Sequence, residues 1–243
     1  MKIVDDGRVR ELVLDRPQVR NALDLDTTEQ LLAALEAAAQ ETPPAALLLH
    51  GSGAGFCAGS DVKEMACVDL EARVAIAARK ALLMQRLAQL ERPVVAAVHG
   101  FALGGGLMLA IGCDVVITAA DALWRLPEVE LGFFPPWGLE ALMARDSVAR
   151  ARRLVWGEAA LRGDEAARLG LADEAVSPQA TLARAREVAH RLAALPEGSV
   201  RATKRFFGRH ATTPELDAIA REVYRLNCED GAAEATFRRL RRG

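Results

Sequence analysis

The chain of 243 residues is 51% hydrophobic and carries a formal charge of -2, with Lys+Arg 31 against Asp+Glu 33. That length holds one generous domain, or one domain with a small appendage, and the even charge balance gives nucleic acid and membrane surfaces no place as expected partners. Cys57, Cys67, Cys113 and Cys228 show neither paired nor metal-ligand spacing, no signal peptide is evident, and no apolar run nears the roughly 20 residues of a membrane span, so a cytoplasmic, metal-free protein is expected.

In chain order, "RVRELVLD" (8–15) alternates polar and apolar residues, which predicts an outer strand with one wet face. "DTTEQLLAALEAAAQ" (26–40) predicts a helix, with Asp26 and Glu29 spaced as a capping box. "AALLLHG" (45–51) and "PVVAAVHG" (93–100) are unbroken apolar runs ending in glycine, the pattern of strands buried on both faces of a largely parallel sheet. A long helix is expected between them, from about Asp69 to Leu90. "CDVVITAA" (113–120) and "ALWRLPEV" (122–129) add two strands, and beyond Pro135 the pattern is helical apart from "GLADEAVS" (170–177). This order predicts an α/β layer structure with right-handed crossovers. From about Ser177 onward, amphipathic segments follow with no obvious sheet to cover, so they close over the core or pack on another subunit. The terminal "RRLRR" (238–242) reads as a solvated helix end, its cations near the negative pole of the dipole.

Three stretches combine glycine with polar potential. In "HGSGAGFCAGSDVKEM" (50–65) a strand ends in a glycine-rich loop and a helix starts near Asp61, so backbone amides point outward at the junction. The glycines match neither a dinucleotide fingerprint nor a phosphate loop, and Ser60 lacks the flanks of a nucleophile elbow. Alone, a tight turn explains this loop as well as a binding loop does. "VVAAVHGFALGGGLMLAIGCD" (94–114) repeats the grammar: buried strand, glycine turn, helix start. Two such junctions in neighbouring units can aim two N–H groups at one oxygen, forming an oxyanion hole, and glycines let that oxygen approach. The third stretch, "LWRLPEVELGFFPPWG" (123–138), sets Glu128 among apolar residues. Alone it reads as an ordinary surface acid at a strand end. Beside the other two it reads as an acid of raised pKa suited to proton transfer.

Together these stretches resemble the crotonase family, the enoyl-CoA hydratase/isomerase superfamily. The likeness extends to "LDRPQVRNALD" (14–24), to "GEAALRGDEAARLGLADEAV" (157–176) and to "VRATKRFF" (200–207). It implies a crotonase-like α/β spiral of ββα units over residues 1–177. Residues 178–243 then form a helical region for trimerisation and active-site cover, with trimers often paired into hexamers. It also implies an acyl-CoA thioester as substrate, coenzyme A entering only as part of it and no separate cofactor. The thioester carbonyl is expected between the backbone N–H groups of Ser60 and Gly105. The CoA moiety is expected along the backbone around Arg20, Ala22 and Leu23 and along Ser60, Asp61, Val62 and Lys63.

The family's hydratases use two glutamates. One matches Glu128, and the position of the other is held here by Met108, which lines the substrate site. A thioether neither holds a water by a strong hydrogen bond nor exchanges a proton. The resemblance therefore favours a Δ3 to Δ2 enoyl-CoA isomerase with Glu128 as sole proton shuttle, the bulk of "FFPPW" (133–137) keeping water out. The alternatives are hydration with one glutamate, decarboxylation, thioester hydrolysis, or a CoA-thioester-binding subunit with little activity. Acyl chain length and any part played by Glu130 or Glu140 stay open at this level.

Overall fold

Apolar runs of five or six residues punctuated by glycine build the centre of the molecule, seen in a computed structural model that describes residues 1–40, 44–157, 160–208, 214–229 and 231–242. The chain opens with β1 (Lys2–Asp6), β2 (Val9–Leu14), α1 (Leu25–Gln40) and β3 (Ala46–Gly51). The next unit holds α2 (Val62–Ala66), α3 (Leu70–Gln89), β4 (Val94–Val98), β5 (Phe101–Leu103) and α4 (Gly105–Ile111). After it come β6 (Val115–Ala119), β7 (Leu123–Arg125), α5 (Leu139–Arg145) and α6 (Val148–Val155). β8 (Leu161–Arg162), α7 (Gly163–Arg168) and β9 (Glu174–Val176) lead into four helices, α8 (Thr181–Ala193), α9 (Glu197–Gly208), α10 (Pro214–Glu229) and α11 (Gly231–Arg242).

The main sheet runs β1-β2-β3-β4-β6-β9, with β1 antiparallel to β2 and the other pairs parallel. A second sheet, β5-β7-β8, lies at the strand exits. Every residue of β3 and β4 is buried, as their unbroken apolar runs predict. Leu47, Leu49, Ala96 and Val98 pack with Leu31 and Leu35 of α1 and Leu83 and Leu87 of α3 on one face. Leu48, Val95, Ala97 and Ile117 pack with Ala185, Val188 and Ala189 of α8 on the other. The C-terminal segments were expected to have no sheet to cover; α8 covers this second face.

Two local expectations are corrected. β2 is not an outer strand with a wet face, because β1 pairs along its free edge. Its polar Glu11 is only 3% exposed and points toward α8. The Glu11 carboxylate accepts from Arg186 at 2.7 and 2.9 Å and meets His50 Nε2 at 3.0 Å, and the guanidinium holds its pKa below the usual range despite burial. Alternation therefore marked a buried charge network, which the period-2 pattern alone cannot tell from solvent. The cap of α1 is Asp24 rather than Asp26: Asp24 accepts from the Thr27 amide at 2.8 Å, and Asp26 lies in the first turn. α3 keeps its expected limits, with Asp69 accepting from the Ala72 amide at 2.9 Å.

α10 and α11 fold back over α2 and α3 of their own chain. Tyr224, Cys228, Ala233 and Phe237 form a separate apolar cluster with Met65, Ile76, Ala77 and Phe133. Among the described residues, no helix is long and apolar enough to cross a membrane.

Candidate active site

The site forms where the loops after β3 and β5 meet. Leu23 bridges to Ser60: the Leu23 amide donates to the Gly59 carbonyl at 2.8 Å and the Asp61 amide donates to the Leu23 carbonyl at 2.9 Å. The Cys57–Ala102 bridge draws the same loop against β5, and the Leu103 amide donates to the Cys57 carbonyl at 3.0 Å. Three segments distant in sequence thus share one rim. The Ser60 and Gly105 amides find no acceptor among the described residues. They lie close together: a Cβ on Gly105 would lie 3.5 Å from the Ser60 nitrogen, and one on Gly59 would lie 3.0 Å from the Gly105 nitrogen. Two free donors in that arrangement suit one oxygen.

The three successive glycines answer to close approaches. Gly104 has φ 51° and ψ -126°, a conformation closed to side-chain-bearing residues, and a Cβ there would lie 2.5 Å from Glu128 Oε1. A Cβ on Gly105 would lie 2.5 Å from Trp137 Cζ2. The helix begins on glycine because the acid and the indole take the space a side chain needs.

Glu128 follows Pro127 just past the end of β7 and precedes a short 3-10 helix, Val129–Leu131. Its Oε2 is fully enclosed and has no hydrogen-bond partner among the described residues. Burial in apolar surroundings pushes its pKa from 4.5 up to about 7, its own backbone amide pulling weakly the other way. The acid lines a cavity of about 110 Å³ with Ser60, Gly105, Val62 and Met108, so the sequence-derived catalytic positions do converge. Met108 is 1% exposed, and its side chain packs where a Cβ on Gly138 would go.

The remaining predicted positions form the rim. Arg20 and Lys63 are exposed, Ala22 and Leu23 are buried, and Asp61 caps α2 while accepting from Arg16 at 3.3 Å. Arg20 takes φ 57° and lies 4.5 Å above the Phe101 ring. Glu130 does not share a strand face with Glu128, because β7 ends at Arg125 and the 3-10 turn sends Glu130 out to pair with Arg125. Glu140 lies on a neighbouring cavity of about 300 Å³, and Trp137 and Phe134 wall the two apart.

Sequence reasoning missed Lys80 and Tyr224, which also line the smaller cavity. Lys80 left one trace, a cation on the helical stripe of α3 that buries Ile76, Ala77, Leu83, Met84 and Leu87. Tyr224 left none, since only the return of α10 brings it here.

The β–α spiral, two convergent amides and an enclosed acid define a crotonase-class enzyme that acts on acyl-CoA thioesters. The chain belongs to the enoyl-CoA hydratase/isomerase family, whose model matches residues 6–230. It is 33% identical over 208 residues to the short-chain-enoyl-CoA hydratase of Clostridium acetobutylicum, covering 84% of this chain and 79% of that protein. It is 35% identical over 187 residues to the 2,3-dehydroadipyl-CoA hydratase of Escherichia coli, covering 76% of this chain and 72% of that protein. The solved structure of an enoyl-CoA hydratase/isomerase from Xanthobacter autotrophicus superposes with a TM-score of 0.90 at 25% identity, covering 99% of this chain and 92% of that one.

Proposed function

We propose that the protein is a Δ3 to Δ2 enoyl-CoA isomerase in which Glu128 carries the proton. The observation that supports this reading is that Glu128 is the one carboxylate lining the small cavity among the described residues, with the inert thioether of Met108 beside it. The thioester oxygen sits between the Ser60 and Gly105 amides. Ionised Glu128 takes the proton from C2, the electron pair passes into the carbonyl, and the two amides hold the dienolate oxygen as its charge develops. The same carboxylic acid then returns the proton at C4, which leaves the double bond in conjugation with the thioester. A pKa near 7 suits both halves of this transfer.

Trp137, Phe133, Phe134 and Phe237 wall the cavity, and their rings offer a reacting water no strong hydrogen bond to hold it. The CoA moiety lies along Arg20, Ala22 and Leu23 and along Asp61 to Lys63. No separate cofactor is needed, since CoA arrives with the substrate. An enclosed acid argues against a binding-only subunit, because raising its pKa has no use where no proton moves.

Water addition is the second reading, favoured by the names of the two relatives above. Incubation with 3-enoyl-, 2-enoyl- and malonyl-type CoA esters separates the possibilities. Conversion of the 3-enoyl ester to its 2-enoyl isomer without water uptake is the expected result. Rapid hydration of the 2-enoyl ester refutes the isomerase reading, and carbon dioxide from the malonyl-type ester identifies a decarboxylase.

A further inference from the structure

Lys80 is 1% exposed, lines the same small cavity as Glu128, and its Nζ has no hydrogen-bond partner among the described residues. An enclosed ammonium group without an acceptor is among the least favourable arrangements in a folded protein. The acids that act on it from a distance are already engaged. Glu64 accepts from the Leu25 amide at 3.1 and 3.2 Å, Asp61 caps α2 and receives Arg16, and Asp24 caps α1 and pairs with Arg16 at 3.1 Å. None of them bonds to Nζ. Glu128 is not its partner either, since burial alone raises that acid and no cation acts on it.

Lys80 therefore sets an unpaired positive charge with three unused donors at the cavity wall, its Nζ enclosed behind that wall and apart from the proton-transfer group, so that a small shift of its flexible stem brings the ammonium to a bound anion. We infer that Lys80 is a subsite for an anionic acyl group, so that the substrate is a short CoA thioester whose acyl chain ends in a carboxylate. The inference rests on the thioester placement proposed above. With the carbonyl against Ser60 and Gly105, which line this cavity, the acyl chain extends along it, and Lys80 stands on its wall. Met65, Ala77 and Phe237 on the same cavity are apolar and accommodate methylenes, while the Tyr224 hydroxyl on that cavity is engaged with Cys228. Burial lowers the Lys80 pKa to about 8, and an anion beside the ammonium would offset that desolvation more fully than a neutral acceptor.

Calorimetric binding of saturated CoA esters tests this without any turnover. Butyryl-CoA and succinyl-CoA form a pair of equal chain length that differs in a terminal methyl or carboxylate. The intact protein is expected to bind the carboxylated ester more tightly by roughly ten- to hundredfold, the range of a charge-assisted hydrogen bond. In Lys80→Met, which keeps length and apolar packing, that ratio should fall to near one. Equal affinities in the wild-type protein, or an unchanged ratio in Lys80→Met, overturn the subsite. Failure of both esters to bind removes the acyl-thioester placement itself, and the subsite with it. Should Lys80→Met not fold, the wild-type ratio still decides, with Lys80→Gln as the second variant.

Discussion

Replacing Glu128 with glutamine separates the chemistry of the acid from its effect on stability, and the two should move in opposite directions. Gln keeps the size of the side chain but cannot take a proton. No second carboxylate lines the cavity among the described residues, so isomerisation should fall by the full value of general acid–base catalysis, about 10²–10⁴-fold. CoA-ester binding should remain. Stability should respond with the other sign. The folded-state pKa of about 7 lies above the ordinary 4.5, so folding favours the protonated acid. The contribution is fully present below pH 4.5 and is lost as pH rises through 7. At about 1.4 kcal/mol for each factor of ten in acidity, the ionised folded protein gives up about 3 kcal/mol. Gln has no such titration. Urea unfolding of both proteins across this pH range should show the stability of Glu128→Gln gaining on wild type by about 3 kcal/mol, the rise ending just above pH 7. In parallel, the wild-type kcat/KM should climb through about pH 7 as the base ionises. A pH-independent difference in stability, or full turnover by Glu128→Gln, would refute the assignment of an enclosed acid as proton carrier.

Gly104→Ala keeps every donor but sets a Cβ 2.5 Å from Glu128 Oε1 at φ 51°, so the carboxylate must shift. A displacement of that size should lower kcat by about 10²-fold, and stability should fall by about 1–2 kcal/mol from the left-handed backbone; steady-state rates and urea unfolding measure the two. Met108→Glu restores a second carboxylate beside Glu128 and should bring measurable hydration of a 2-enoyl-CoA, with some loss of isomerisation as the two acids raise one another's pKa. Absence of any water addition would locate the block in the aromatic walls. Multi-angle light scattering should give a trimer or hexamer, since Val148, Trp156, Phe206, Phe207 and Ile219 are exposed on α6, α9 and α10 and their region; a monomer at micromolar concentration would count against assembly through these helices.

The short-range signals in this sequence carry most of the frame. Unbroken apolar runs make β3 and β4 central strands because only buried strands tolerate apolar residues on both faces. The glycine-rich stretches at 51–59 and 104–106 mark the two loop-to-helix junctions, since backbone conformation is a property of a few neighbouring residues, whereas Glu128 stands out only beside them and the particular amides come from the resemblance of the whole stretch. What the tertiary structure decided is what depends on residues far apart in the chain. The polar residues of β2 read as a wet face until β1 and α8 covered them, because a strand's period reports which residues share a side and not what lies across from it. Glu130 and Glu140 were distinguished from Glu128 only by the 3-10 turn after β7 and by the wall of Trp137 and Phe134. Lys80 and Tyr224 entered the cavity through the packing of α3 and the return of α10. A buried charge is unfavourable or useful according to what faces it, and that is fixed only when segments some 150 residues apart in the sequence close over the same space.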